Sequence, residues 1–182
     1  MAHWFDSLDG TLEMAWAELL RATQDRKSPF RLPVLATVSA DGAPRGRTVV
    51  LRAAKRPTSL VFHTDARSTK VHEIAQEPRV ALTFWHPKRS LQLRVEGKAT
   101  PLSASEQREA YNALHPGAQR VYYTEPAPGT PLPERDHMLH TDTVQSFLGF
   151  GVEIATLETL HLGKASHARA RFQGTDATWL AP

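Results

Sequence analysis

A mainly β chain with flanking helices is what this 182-residue sequence predicts. Apolar and polar residues alternate with period two over short runs between Leu32 and Ala99, the spacing of half-buried strands. The runs are cut by turn chemistry at Asp41-Gly42, Pro57 and His86-Pro87. Only one strong helical periodicity precedes them, at Leu8, Leu12, Trp16, Leu19 and Leu20.

With Asp9 and Thr11 as caps, the first helix runs from about Leu12 to about Thr23. From Phe30, Leu32, Val34, Ala36 and Val38 alternate against Arg31, Leu35, Thr37 and Ser39, and Asp41-Gly42 turns the chain into a run from Gly46 to Ala53. Lys55 to Thr58 breaks it, and Leu60 to Thr64 completes a three-strand meander. Ser68 caps a short helix through Gln76, with Val71, Ile74 and Ala75 on its buried face and Pro78 as its stop. Strands follow at Val80 to Trp85 and Leu91 to Ala99; in the second, Leu91, Leu93 and Val95 share one face, Gln92, Arg94 and Glu96 the other. Ser103 to Glu106 is a capping box for a helix to about Leu114. The proline-rich stretch 116–133 reads as irregular. Phe147 to Leu162 suits two strands with a bend near Ala155 to Leu157, and His167 to Phe172 is the last strand.

One domain over 1–182 is expected, large enough to bury a core without staples. The absence of cysteine excludes disulfides, thiolate metal sites and a cysteine nucleophile. Asp6, Asp9 and Glu13 stand where a signal peptide needs a basic, then apolar, start, and no stretch is long enough to span a bilayer; the expectation is a soluble, cytoplasmic protein with no membrane partner. A formal charge of +3 fits one phosphorylated small molecule as well as nucleic acid. No dinucleotide glycine motif, P-loop or Gly-x-Ser-x-Gly elbow occurs. His137 and His140 lack the carboxylate signature of a zinc enzyme and read as loop surface.

The stretch Arg47 to Lys70 concentrates the chemistry. Arg67-Ser68-Thr69-Lys70 puts two cations and two hydroxyls at a helix start, which is either a phosphate site or an ordinary N-cap. Arg47 and Arg52 in the preceding strand favour the former; alternation places them on opposite faces unless a bulge intervenes, suiting opposite ends of an elongated ligand. Val49 and Val50 are core or the walls of a ring site, Gln92 a solvated side chain or a partner for a heteroaromatic edge, and His63 a further ligand contact.

The order Arg47-Thr-Val-Val-Leu-Arg52, Phe62 to Lys70, Pro78 to Trp85 and Leu91 to Gly97 resembles the pyridoxamine 5′-phosphate oxidase family of FMN-binding split barrels. The resemblance implies a six-stranded antiparallel split barrel, homodimeric, with FMN in two clefts at the subunit interface. It implies that Arg47, Ser68 and Lys70 hold the phosphate and ribityl chain with Thr64 and Thr69, that the backbone of Thr48, Val49 and Val50 lies along the flavin, and that Gln92 bonds its edge. His63 joins that cofactor set, Arg52 stands near ring and substrate, and Arg171 reaches in from the second subunit. A cation near the flavin N1 side would stabilise the reduced anion and favour hydride acceptance. Tyr111 and Arg169 fall at substrate positions.

The departures bear on substrate. The family's C-terminal Arg-x-His-x-Arg is His167-Ala-Arg169-Ala-Arg171 here, a flavin-contacting tryptophan falls on His161, and the substrate-phosphate set Tyr, Arg, Ser falls on Tyr111, His115 and Gln119. The expectation is therefore an FMN-dependent oxidoreductase whose small-molecule substrate is not pyridoxamine phosphate. The alternatives are a non-catalytic FMN storage or sensing module, and a nucleic-acid-binding barrel using Phe84 and Trp85, ranked last because one of that pair must be core.

Overall fold

Strand β1 (Val34–Val38) turns at Asp41-Gly42, with Gly42 at φ 82, and pairs antiparallel with β2 (Pro44–Thr48). The computed structural model that shows this describes residues 3–134, 137–141, 146–164 and 166–182. The run expected from Gly46 to Ala53 is interrupted at Val49-Val50, and β3 (Leu51–Lys55) pairs with β4 (Ser59–Asp65) rather than with β2, so the meander is two hairpins. Helix α2 (Thr69–Gln76) leads to β5 (Arg79–His86), a 3-10 turn at Pro87–Arg89 and β6 (Leu91–Pro101). Strand β9 (Phe147–Leu162) pairs with β6 along one edge and with β4, then β10 (His167–Gln173), along the other.

The ladders close a ring. β1 pairs with β5, β5 with β6, β6 with β9, β9 with β4, β4 with β3, and β2 returns to β1. Counting the interrupted β2–β3 segment once, six strands form the barrel, as expected of a split barrel. Closure removes the sheet edges within the barrel, except where β2 and β3 part.

Inside lie Leu35, Leu51, Phe62, Phe84, Leu93, Val95 and Phe150, and α1 (Leu8–Gln24) covers one end with Trp16 and Leu19. The helix begins a turn before the expected Leu12, because Ser7 accepts the Gly10 N–H at 3.0 Å as N-cap. The expected capping box at Ser103 and Glu106 opens α3 (Ala104–Asn112). On α2 the buried residues are Glu73 and Ile74, and Ala75 is exposed, since a polar residue of β1 reaches the helix.

Three further expectations change. Part of 116–133 is regular: α4 (Pro116–Gln119), a 3-10 turn at Arg120–Tyr122, and β7 (Thr124–Glu125) paired with β8 (Leu139–His140). Pro116 enters at the first turn, where its missing N–H costs nothing. Phe147 to Leu162 is one strand, its bend appearing as a bulge that leaves Ala155 without a partner in β6. After β10, Gly174 at φ 58 turns the chain into β11 (Asp176–Leu180), which had not been expected.

The outer face of β1 is the more apolar one. Val34 and Val38 are 45% and 38% exposed while Leu35 and Thr37 are buried. Phe84 is core and Trp85 exposed, as alternation requires. No helix among the described residues is long and apolar enough to cross a membrane, and no cluster of three or more His, Asp or Glu side chains there could hold a metal ion.

Candidate functional site

Strand β4 ends at Asp65, and α2 starts four residues later, so Thr64, Ser68 and Lys70 converge at that corner. The Lys70 ammonium donates to Thr64 Oγ1 at 3.0 Å and to Ser68 Oγ at 3.1 Å. Ser68 occupies the N-cap position, yet its hydroxyl donates to the Asp65 carbonyl at 2.7 Å and makes no capping bond to the helix. Burial, then the Arg47 charge, lowers the Lys70 pKa, with Asp65 and Glu73 opposing. A half-buried ammonium held by two neutral hydroxyls lacks a counterion of its own.

Across the corner, Arg47 donates through Nη2 to Glu73 Oε2 at 2.7 Å and through Nη1 to Thr37 Oγ1, and Thr37 donates to Glu73 Oε2 at 2.5 Å. Glu73 is only 4% exposed. Burial pushes its carboxyl up, but the hydrogen bonds from Thr37 and Arg47 and the Arg47 charge leave it below its ordinary value. Arg45, Arg47, Ser68, Thr69, Lys70 and Glu73, with Pro128 and Gly129, line a cleft of about 440 Å³. Three cations against one carboxylate make it an anion site. Arg45 and Glu73 were missed by sequence reasoning; Arg45 was legible as the same-face neighbour of Arg47 in β2.

Arg67 does not join them. Its guanidinium grips Asp65 through Nε at 3.1 Å and Nη2 at 2.8 Å and donates to the Thr124 carbonyl at 2.7 Å, while Ser146 donates to Asp65 Oδ2 at 2.6 Å. Burial raises the Asp65 pKa, but the hydrogen bonds from Arg67 and Ser146 prevail and lower it. A carboxyl with a depressed folded pKa contributes stability above its unfolded pKa of about 3.9 and loses it as pH falls through the folded value. Asp65→Asn is therefore expected to flatten the acid limb of the stability curve below about pH 4. Acid titration of both proteins by circular dichroism checks this; parallel curves would count against it.

Arg52 lies elsewhere. It occupies a bulge, the β3–β4 register stepping from Leu51 opposite Phe62 to Ala53 opposite Val61. It lines a separate cleft of about 420 Å³ with His63, Arg31 and one face of α3. Burial, then the Arg52 charge, holds His63 down at about 4, so the imidazole is neutral at neutral pH. Val49 is buried and donates its N–H to the Pro33 carbonyl at 3.0 Å, Val50 is half-buried, and Thr48 is exposed.

Gln92, Arg169 and Arg171 lie on the outer face of the sheet. Gln92 sits between Trp85 and Leu160, and Leu160 is opposite Arg169. Arg169 pairs with Glu158 at 2.8 Å, which also takes Arg94 at 3.1 Å; Arg171 is exposed beside them. Tyr111 donates to the Tyr123 hydroxyl at 3.1 Å and lines a third cleft with Gln107 and Phe147. His161 stacks on Phe5 at 4.3 Å, with Nδ1 3.0 Å from the Arg89 carbonyl. Of the predicted set, then, Arg47, Ser68, Thr69 and Lys70 meet with Thr64 at one cleft and Arg52 meets His63 at another. Gln92, Arg169, Arg171 and Tyr111 join neither.

The profile of the family described as "Pyridoxamine 5'-phosphate oxidase, FMN-binding domain" matches residues 13–103, half of the chain. The chain belongs to that family. Among curated relatives, a pyridoxine/pyridoxamine 5'-phosphate oxidase of Granulibacter bethesdensis is 41% identical over 105 residues, covering 56% of this chain and 49% of that one. The chain spans about half the length of that relative, and less of others it matches. A pyridoxamine 5'-phosphate oxidase-related, FMN-binding protein of Nostoc punctiforme superposes with a TM-score of 0.77 at 24% identity, covering 93% of this chain and 96% of its own. PhzG of Burkholderia lata, solved with tetrahydrophenazine-1-carboxylic acid, gives 0.75 at 20%, covering 94% and 91%. These two likenesses concern the fold. The family's matched domain is the FMN-binding one, and the donor set at the α2 corner fits the phosphate of such a cofactor: an ammonium without a counterion, two arginines and hydroxyls at a helix start.

Proposed function

We propose that this protein is an FMN-dependent oxidoreductase acting on a small molecule other than pyridoxamine phosphate. The observation that carries the proposal is the Lys70–Ser68–Thr64 cluster beside Arg47, in a cleft with excess positive charge, within a stretch matched as an FMN-binding domain. Bound FMN supplies the hydride chemistry. The protein binds and orients: Arg47, Ser68, Thr69 and Lys70 take the phosphate with Thr64, Thr48 to Val50 flank the ring, and Arg52 and His63 supply a cation and a neutral imidazole at the other side. Gln92 and Arg171 complete a cleft from the outer sheet face of a second subunit. The exposed apolar stripe of Val34, Val38 and Trp85 supports a homodimer, which would cover it. We read residues 1–182 as one such domain.

What supports a different substrate is how the phosphate-binding positions of the helix are used. His115 accepts the Gly117 N–H at 3.2 Å as the cap of α4, and Gln119 donates to the Tyr111 carbonyl at 3.0 Å. Both side chains build the turn, and a histidine does not replace an arginine's bidentate grip. Arg169 is committed to Glu158. Pyridoxamine phosphate is thus expected to be turned over with kcat/KM about 10- to 100-fold below that of a dedicated enzyme, the cost of one charge-assisted contact. The test is an absorbance spectrum of purified protein for a flavin doublet, followed by anaerobic reduction with candidate donors. Bound flavin that no donor reduces faster than free FMN would favour a storage module, and turnover of pyridoxamine phosphate at full rate would overturn the substrate reading.

A further inference from the structure

Strand β9 has a gap along one edge. It pairs with β4 as far as Glu153 and with β10 from Leu157, so residues 154–156 face no strand on that side. The Ile154 N–H reaches across to the Thr58 carbonyl at 2.9 Å, and the turn from Lys55 to Thr58 becomes one lip of the gap. Helix α1 covers it with Leu12 and Trp16, and Ile154, Leu157 and Phe172 supply the facing wall of a cavity of about 430 Å³. Trp16, Leu157 and Phe172 are buried, Leu12 and Ile154 half-buried. Size and lining are those of a small-molecule pocket. The cavity shares no lining residue with the Arg47–Lys70 cleft or with the cleft of Arg52.

One polar group deep in this cavity lacks a partner. Trp16 is only 2% exposed, and buried indole N–H groups are ordinarily hydrogen-bonded. The Trp16 N–H makes no hydrogen bond among the described residues, yet it is not sealed from solvent, so it meets open space, and the space that Trp16 lines is this cavity. An unpaired donor among apolar walls is recovered by a ligand that brings an acceptor.

The charges at the mouth limit what else that ligand carries. Arg56 is gripped by Glu13 at both ends of its fork, Nη1 to Oε2 at 2.7 Å and Nη2 to Oε1 at 2.6 Å. Glu153 adds a second carboxylate, so two negative charges stand against one positive. An anion would have to displace Glu13 and lie beside Glu153. A cation would find those carboxylates only at exposed positions, where pairing is worth little, and would bring no acceptor to Trp16.

We propose that the cavity between α1 and the 154–156 gap of β9 binds a small uncharged molecule with an apolar body and one carbonyl group, the carbonyl oxygen accepting from the Trp16 indole N–H. The site is independent of the oxidoreductase reading.

Titration of the 182-residue protein with acetophenone, followed by the indole N–H resonances of its four tryptophans, tests the site. The Trp16 resonance is assigned by elimination with Trp4→Phe, Trp85→Phe and Trp179→Phe, so the assignment does not require a variant of the buried residue. Acetophenone is expected to move that resonance downfield, and ethylbenzene, of the same shape without the acceptor, is not. Trp16→Phe keeps the ring and removes the donor, and is expected to weaken acetophenone by about threefold to tenfold, one neutral hydrogen bond. Thr58→Trp, at the exposed lip, is expected to abolish binding while the melting temperature stays at its wild-type value. A Trp16 resonance that acetophenone leaves in place, tighter binding of benzoate or benzylamine, or unchanged affinity in Thr58→Trp overturns the proposal.

Discussion

Replacing Lys70 and Arg47 together by alanine is expected to abolish FMN retention through gel filtration. Each side chain offers a phosphate a charge-assisted hydrogen bond worth about 1.5–3 kcal/mol, so the pair accounts for roughly 100- to 10,000-fold in affinity. The two deletions differ in what they leave behind. Lys70 donates only to hydroxyls, which can turn to water or to each other, so Lys70→Ala disturbs little besides the site. Arg47→Ala instead strands the buried Glu73 carboxylate. Breaking a fully buried ion pair costs about 3–5 kcal/mol; Arg47 is 24% exposed, so water takes over part of its role and about 2 kcal/mol is a fairer figure. Glu73→Gln in the Arg47→Ala background is expected to recover much of that stability and none of the FMN affinity. Thermal melts and the flavin absorbance of the eluted protein separate the two effects. Flavin that co-elutes with the double variant would remove the phosphate assignment.

How far the fold was legible follows from where information was local. Ser103 and Glu106 satisfy one another within a single helical turn, Asp41-Gly42 fixes its own hairpin, and Leu91, Leu93 and Val95 repeat without interruption; each was read correctly from its own neighbourhood. The faces of β1 were not so readable, because its outer face, Val34, Ala36 and Val38, is more apolar than its inner one. Thr37 is buried because Arg47 and Glu73, ten and thirty-six residues away, satisfy it. Glu73 escaped notice for the same reason: a carboxylate on the buried side of a helix makes sense only once its partners are placed. Arg67 was the reverse case. Its charge and position at a helix start suggested phosphate, yet Asp65 two residues away captures it. At the site, therefore, the sequence pattern located the corner, and side-chain pairing decided which cations remained for a ligand.

Gly97→Ala is expected to be among the most damaging single substitutions outside the core. A Cβ at this position would stand 2.0 Å from the Glu153 carbonyl oxygen and 2.9 Å from its carbon. The obstacle is backbone of the neighbouring strand, so no side chain can swing aside. The crowding has a cause in the ladder: between Glu96 opposite Thr156 and Gly97 opposite Ile154, β9 bulges at Ala155 and pushes its backbone toward β6. Overpacking of this kind costs about 3 kcal/mol or more, since the bulge must open or the strands slip. A slip by one residue would turn Gln92 and Arg94 from the outer face into the core, so cofactor retention is expected to fall with the melting temperature. Gly151→Ala in the facing strand β9 is the control: its Cβ would meet only the Leu102 side chain, at an ordinary 3.5 Å, and a change within about 0.5 kcal/mol is expected. Equal melting temperatures for the two variants would mean that the bulge at Ala155 does not hold β6 and β9 in register.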